Sequence, residues 1–305
     1  MIHIFIRGRL GNQLFQYAFV RNIQNINPKH EVVYHFNDVY SQGTVEDGWE
    51  NSLKYFKTID VNEAETSCSL SWVQKVILHL YWWKYPHNES IDIKNTYQMK
   101  WVKILSHFGL FYLDLGFYPF KTESRNIIIS GNFECEKYFS SIKPSLLEEI
   151  SPLQPPLPHN RELLSKIKDS QSVCISVRRG DFVDNPNFSA LHNICTKAYF
   201  LNAIKKVTDL VQNPVFFIFS DDIEWAKSNI PIDYPCYFER GTDPVWEKLR
   251  LMYSCRHFII SNSTFSWWAQ YLSRNEDKIV IAPKRWYNNP FKSALYDDKW
   301  ILIDS

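Results

Sequence analysis

The chain has 305 residues, long for one domain and comfortable for two. Its 45% apolar and 22% charged residues mark a globular protein and exclude a disordered one. A net charge of +1 argues against a nucleic-acid binder, which needs a strongly basic face, and no run reaches the ~18 apolar residues of a membrane-spanning helix.

Ile2 to Ile6 reads as a first strand, and a strand starting at Met1 implies no signal peptide. The loop RGRLGN (Arg7 to Asn12) leads into a helix from about Gln13 to Ile26. Leu14, Phe15, Tyr17, Ala18 and Phe19 wrap around that helix, which predicts burial between layers. The loop is not GxGxxG and is not read as a dinucleotide site. Glu31 to Phe36 is a second strand; residues 37–57, with Gly43 and Gly48, are irregular. Ser71 to Lys84 reads as a helix with Trp72, Val76, His79, Leu80 and Trp83 along one face. Such a stripe is expected to be core; the alternative for its ring-rich end, YWWKY (Tyr81 to Tyr85), is a membrane interface or a glycan. No clear period appears between Ser90 and Thr122. NIIIS (Asn126 to Ser130) is a strand, followed by Gly131 and a helix from about Cys135.

SPLQPPLPHN (Ser151 to Asn160) holds four of the 15 prolines. Proline removes donors and blocks helix, so this segment is the expected linker between domains at 1–150 and 161–305. Strands then alternate with helices: strand 172–178, helix 196–211, strand 215–219, helix 221–228, strand 235–239, helix 244–255, strand 257–260, helix 264–273, strand 278–282. That is the pattern of a doubly wound parallel sheet. The six cysteines show no CxxC or metal-ligand spacing. Cys174 in a strand and Cys255 at a helix end are expected to be buried free thiols, which fits a reducing compartment.

Two stretches carry chemistry. ISVRRGD (Ile175 to Asp181) runs a buried strand into two arginines, a glycine and an aspartate. Paired guanidiniums at a strand's carboxyl end call for an anion, and arginine grips phosphate bidentately. Gly180 permits close approach, and Asp181 can orient a guanidinium. A structural Arg–Asp network fits the same residues. HFIISNSTFSWW (His257 to Trp268) is a strand, a hydroxyl-rich turn and a helix whose Phe265, Trp268, Ala269 and Leu272 share one face. Its free amides and positive end suit an anion, with Ser263 and Thr264 adding hydroxyls; an ordinary N-cap is the plain alternative. Together the stretches suggest a diphosphate held from two sides. Asp221 and Asp222, after the strand FFIF, suit either ribose or guanine contacts or the capping of Ile223 to Lys227, a role fitting Asp221.

GRLGNQLFQYA (Gly8 to Ala18), SGNFECEKYF (Ser130 to Phe139), VRRGDF (Val177 to Phe182), FFIFSDDIEWAK (Phe216 to Lys227), SNSTFSWWAQYL (Ser261 to Leu272) and KIVIAPKRWY (Lys278 to Tyr287) follow one another in family order over nearly the whole chain. Together they resemble glycosyltransferase family 11, the α-1,2-fucosyltransferases of bacteria and animals. The resemblance implies an α/β, GT-B fold: two Rossmann-like domains facing across a cleft, with the nucleotide sugar on the C-terminal one. It implies inverting transfer of L-fucose from GDP-β-L-fucose to the 2-hydroxyl of a galactose-terminated glycan, in building an O-antigen or capsule. Arg178 and Arg179 would stabilise phosphate charge, with Ser263, Thr264 and the Phe265 amide as further donors. Arg9 and Asn12 would face the donor's reacting end, although a solvent-exposed loop arginine also fits Arg9. Asp221-Asp222 lacks the Asp-x-Asp spacing of metal-dependent transferases, so neither a metal nor a cofactor is expected. Asp184 is a candidate base, and proton uptake by the departing phosphate is the alternative. Glu247 is expected at the surface or between domains. Family members usually carry histidine where this chain has Ser176, two residues before the first arginine. A cytoplasmic bacterial protein, peripheral at the inner membrane, is the expected setting. The competing readings are a nucleotide- or glycan-binding module without chemistry, and a GT-B transferase with another sugar or linkage.

Overall fold

The structure is a computed structural model describing residues 1–64, 68–120, 124, 126–180, 183 and 186–304. It comprises two compact units, Met1–Glu149 and Ile150–Ser305. The first holds strands β1 (Ile2–Phe5), β2 (Val32–His35), β3 (Leu110–Tyr112) and β4 (Ile127–Ser130), all parallel, in the order β2-β1-β4-β3. Helices α1 (Leu10–Ile26), α2 (Asn37–Tyr40), α3 (Trp72–Trp83), α4 (Ile91–His107) and α5 (Lys143–Glu149) accompany them. All four residues of β4 are buried, as expected for a parallel strand covered on both faces.

Helix α1 begins at Leu10, three residues earlier than predicted, so Asn12 lies in its first turn rather than in the loop. Two fully buried glutamines bolt that helix to its surroundings. Gln13 donates to the carbonyls of Gly8 (2.9 Å) and Glu50 (2.8 Å) and accepts from the Ser52 amide (2.9 Å). Gln16 accepts from the Arg7 amide and donates to the Arg7 carbonyl. Every polar group these side chains bury is thereby satisfied.

Helix α3 corrects the sequence reading. The stripe expected in the core is exposed: Trp72 at 77% and Trp83 at 73%, with Val76, His79 and Leu80 also exposed. The inward face is Gln74, Leu78 and Tyr81. Leu78 and Tyr81 pack with Leu105, Leu110 and Ile128, and Gln74 donates to the Phe108 carbonyl (2.9 Å). A capping box between Ser71 and Gln74 starts the helix. Apolar residues occupy both sides of α3, so periodicity alone could not choose between them. The featureless segment after Ser90 contains α4 and β3, and the helix expected from Cys135 is two short 3₁₀ turns followed by α5.

The second unit carries a six-stranded parallel sheet in the order β10-β9-β8-β5-β6-β7: β5 (Gln171–Val177), β6 (Pro214–Ser220), β7 (Cys236–Phe238), β8 (His257–Ile259), β9 (Val280–Pro283) and β10 (Ile301–Ile303). Its helices are α6 (Arg161–Lys168), α7 (Pro186–His192), α8 (Lys197–Thr208), α9 (Ile223–Asn229), α10 (Val245–Tyr253) and α11 (Thr264–Tyr271). Two all-parallel α/β sheets make this the expected GT-B class. Strand β10 and helices α6 and α7 went unread in the sequence. Cys135, Cys174, Cys195 and Cys255 are buried free thiols. Among the described residues no helix is long and apolar enough to cross a membrane.

Residues 151–160 belong to the second unit and are tied to α10. Glu247, expected near a surface or between domains, is fully buried. Its carboxylate accepts from the Leu157 amide (2.9 Å), Asn160 Nδ2 (3.2 Å) and Arg250 (2.5 Å). Asp243 accepts from Asn160 (2.7 Å) and lies 2.8 Å from His159 Nε2. A proline-rich segment has few amides of its own to pair, so side-chain acceptors anchor it. Removing one member of a buried ion pair strands the other. Glu247→Ala is therefore expected to lower the unfolding free energy by about 3–5 kcal/mol in urea titrations; a loss below about 1 kcal/mol would contradict this role.

Candidate active site

The sheet of the second unit grows outward from β5: β6 and β7 lie on one side of it, β8 to β10 on the other. The order of strands therefore reverses between β5 and β8, and the loops leaving their carboxyl ends part company there. That is the topological switch point where open α/β sheets bind ligands. The two stretches singled out in the sequence leave these two strands.

After β5 come Arg178, Arg179 and Gly180. The β5–β6 register pairs Val177 with Ser220, so the next residues on each strand meet. Arg178 Nη1 lies 2.6 Å from Asp221 Oδ2, and Arg179 Nε lies 3.2 Å from Asp222 Oδ2. The Arg179 amide also donates to Asp221 Oδ1 (2.8 Å), and its guanidinium stacks over Trp225 at 4.0 Å from the ring centre. A Cβ on Gly180 would come within 2.7 Å of Asp221 Oδ2, disturbing the first pair. Both arginines are about three-quarters buried yet open on one side. The predicted cap is corrected: Asp222, not Asp221, caps α9, accepting from the Trp225 amide (3.0 Å). Asp181, expected to orient an arginine, lies outside the described residues, as does Asp184; among the described residues Asp221 and Asp222 do that orienting.

After β8 the chain turns through Ser261, Asn262 and Ser263 into α11. Ser263 occupies the N-cap in extended conformation, but its side chain makes no capping hydrogen bond. The first turn thus keeps amides that its own cap does not cover, at the positive end of the helix. Ser263, Thr264 and Phe265 are half-buried, whereas everything from Ser266 to Ser273 is buried. Phe265 accordingly departs from the buried face predicted for it.

The turn itself is held by residues whose importance the sequence did not announce. Asn262 is buried; its Nδ2 donates to the carbonyls of His192 (2.9 Å) and Trp286 (3.0 Å), and its Oδ1 accepts from the Cys195 thiol (3.5 Å). Tyr199 donates to the Ile260 carbonyl (2.6 Å). Ser176 lies 2.7 Å from the Ser266 hydroxyl, which is 3.2 Å from that of Ser261. Ser176 is thus buried between β5 and α11 and links the two loops from beneath.

The first unit has its own switch point, between β1 and β4. Gly8 (φ +70°) turns the chain into α1, whose N-cap is Arg9; the Arg9 guanidinium stacks on Trp49 at 5.2 Å. The neighbouring Arg7 bonds Asp114 (3.3 Å) and the Ser130 hydroxyl at the end of β4. Asp114 in turn accepts from Gln98 (2.6 Å). Glu134, just beyond β4, is buried and its Oε2 has no hydrogen-bond partner among the described residues. Burial first, and the charge of Asp114 second, push its pKa up to about 8, so it is mostly protonated at neutral pH.

The profile of Glycosyl transferase family 11 matches residues 1–304. The chain belongs to that family. An Escherichia coli alpha-1,2-colitosyltransferase is 34% identical over 183 residues, covering 57% of this chain and 61% of that relative. A Caenorhabditis elegans galactoside 2-alpha-L-fucosyltransferase is 30% identical over 170 residues, 51% of this chain and 45% of the relative. The matches thus span less than two-thirds of either relative's length. The fold is shared with the fucosyltransferase NodZ from Bradyrhizobium, at 12% identity and a TM-score of 0.52, over 88% of this chain and 91% of that one.

The Glu134 environment has a measurable consequence in this family 11 chain. Its folded pKa of about 8 exceeds its ordinary value of 4.5, so its contribution to stability is complete below that ordinary value and is lost as the pH rises through about 8. Glu134→Gln, neutral at every pH, is expected to gain in Tm relative to the parent between about pH 5 and about pH 9. A constant Tm difference across that range would contradict the assignment.

Proposed function

We propose that the chain is an inverting glycosyltransferase moving L-fucose from GDP-β-L-fucose to the 2-hydroxyl of a terminal galactoside, in surface-glycan synthesis. The observation carrying this reading is the placement of two guanidiniums and a helix N-terminus after the two strands that flank the switch point of a family 11 chain. The two relatives described above are named for different sugars but the same α-1,2 linkage. The shared linkage supports the acceptor hydroxyl more firmly than the donor sugar.

Breaking the glycosidic bond builds negative charge on the β-phosphate. Groups that meet this charge more strongly in the transition state than in the ground state raise the rate. Arg178 and Arg179 are assigned that role, with the amides and hydroxyls of Ser263, Thr264 and Phe265 closing from the other strand. Asp221 and Asp222 hold the guanidiniums in place; contacts to ribose or guanine would compete with those ion pairs. On this scheme the protein's own cations do the work of a divalent ion. Arg9 and Asn12 are assigned to the sugar's reacting end. The acceptor attacks the face opposite the phosphate, which converts a β donor into an α product. Its proton can pass to the departing phosphate as the bond opens.

A second donor has a specific observation behind it: colitose, the 3-deoxy counterpart of L-fucose, is the sugar in the name of the E. coli relative. Incubation with GDP-fucose or GDP-colitose and a β-galactoside in EDTA separates the cases. Transfer of fucose to the 2-hydroxyl is expected. Colitose-only transfer would replace the donor, and GDP binding without transfer from any donor would make the chain a binding module. Arg178→Ala is expected to lower kcat by about 10²–10³-fold, the loss typical of one charge-stabilising donor. Arg179→Lys, which keeps the charge but loses the planar stack on Trp225, is expected to lose activity as well. Unchanged kcat in both variants would contradict the assignment.

A further inference from the structure

Helix α3 turns an apolar strip to solvent. Trp72, Val76, Leu80 and Trp83 follow one another at i, i+4, i+8 and i+11, within an arc of about 80° of helix surface. Each is exposed, and the two tryptophans at the ends are three-quarters exposed. The opposite side, Gln74, Leu78 and Tyr81, already faces the core. The two tryptophans at its ends therefore contribute little to packing within the first unit. Exposing large apolar side chains along one line is costly for a surface helix, and such patches mark contact with another apolar phase.

The chemistry around the strip selects the occupant. The helical pair from Ser71 to His107 carries five lysines against one glutamate and one aspartate, in a chain whose net charge is only +1. Lys75, Lys84, Lys100 and Lys103 are exposed. The Lys84 ammonium sits 5.8 Å above the Trp83 ring, so cation and indole share one spot at the end of the helix. Helix α4 likewise exposes Ile93 and Ile104 on its outer side. Tryptophan combined with lysine is the composition of segments lying in the plane of a bilayer, with rings at headgroup depth and ammonium groups on anionic lipid phosphates. With Val73 and Trp82 also exposed on its flanks, the strip is broad and about 16 Å long at the helical rise per residue. Those dimensions fit a helix lying flat on a surface.

We propose that α3 docks this protein on an anionic bilayer surface, Trp72 and Trp83 entering the headgroup region and the lysines pairing with lipid phosphates. The contact needs no ligand in the transferase site and does not depend on which sugar is transferred.

The full chain is tested by co-sedimentation with two kinds of vesicle: phosphatidylcholine alone, and phosphatidylcholine with about 30 mol% phosphatidylglycerol. Binding is expected to the anionic vesicles, weakening with salt, and to be at least about tenfold lower on neutral ones. The double variant Trp72→Ser/Trp83→Ser is expected to lose anionic-vesicle binding by about tenfold or more while keeping the parent's Tm, since neither ring packs inside. Lys75→Glu/Lys84→Glu, which leaves the rings in place, is expected to lose binding as well. Three results would overturn the proposal: no sedimentation with anionic vesicles, equal binding by the tryptophan variant, or a parent dimer that the tryptophan variant turns into a monomer while vesicles bind neither. The last result would make the strip a contact between copies.

Discussion

The constraint on which the site depends is the ion-pair quartet at the ends of β5 and β6. Strand register sets Arg178 beside Asp221 and Arg179 beside Asp222. Neither guanidinium waits bare for a ligand, because each has a carboxylate. The quartet is formally neutral, and that matters twice. It lets two adjacent arginines stay three-quarters buried without an unpaired charge, which would be costly. It also means that an arriving diphosphate must find added positive potential from somewhere other than the arginines alone.

The N-terminal end of α11 can supply it. Its N-cap residue, Ser263, makes no capping hydrogen bond with its own side chain, and the positive end of the helix dipole follows β8 at the switch point. Electrostatic catalysis requires such donors to be fixed before charge develops, because reorganising them during the reaction costs what they would contribute. The structure fixes them through buried polar contacts below the surface: Asn262 to three partners, Tyr199 to Ile260, and the Ser176–Ser266–Ser261 hydroxyls. Ser176 in particular is buried and serves this support through the Ser266 hydroxyl.

Much of this was legible in the sequence. Strand runs ending in RRGD and in SNST, separated by alternating helices, defined both halves of the switch point. The partners of the arginines were harder to read, because Asp221 lies 42 residues beyond Arg179 and meets it only through strand register. Asp221 suits a cap by sequence, and only the backbone geometry assigns the cap to Asp222. Glu247 reads as a residue of the surface or of a domain boundary because buried carboxylates are uncommon; its partners Leu157 and Asn160 sit some 90 residues away. Helix α3 departs from its expected burial for a different reason. An apolar stripe states that something covers it, without saying whether that is the protein's own core.

The most direct test of the account is a crystal structure of the chain with GDP bound. The account requires phosphate oxygens at hydrogen-bond distance, about 2.7–3.2 Å, from an Arg178 or Arg179 guanidinium and from a backbone amide in the first turn of α11. Phosphates lying away from both, with the Arg–Asp quartet and the Ser263 turn left untouched, would contradict it.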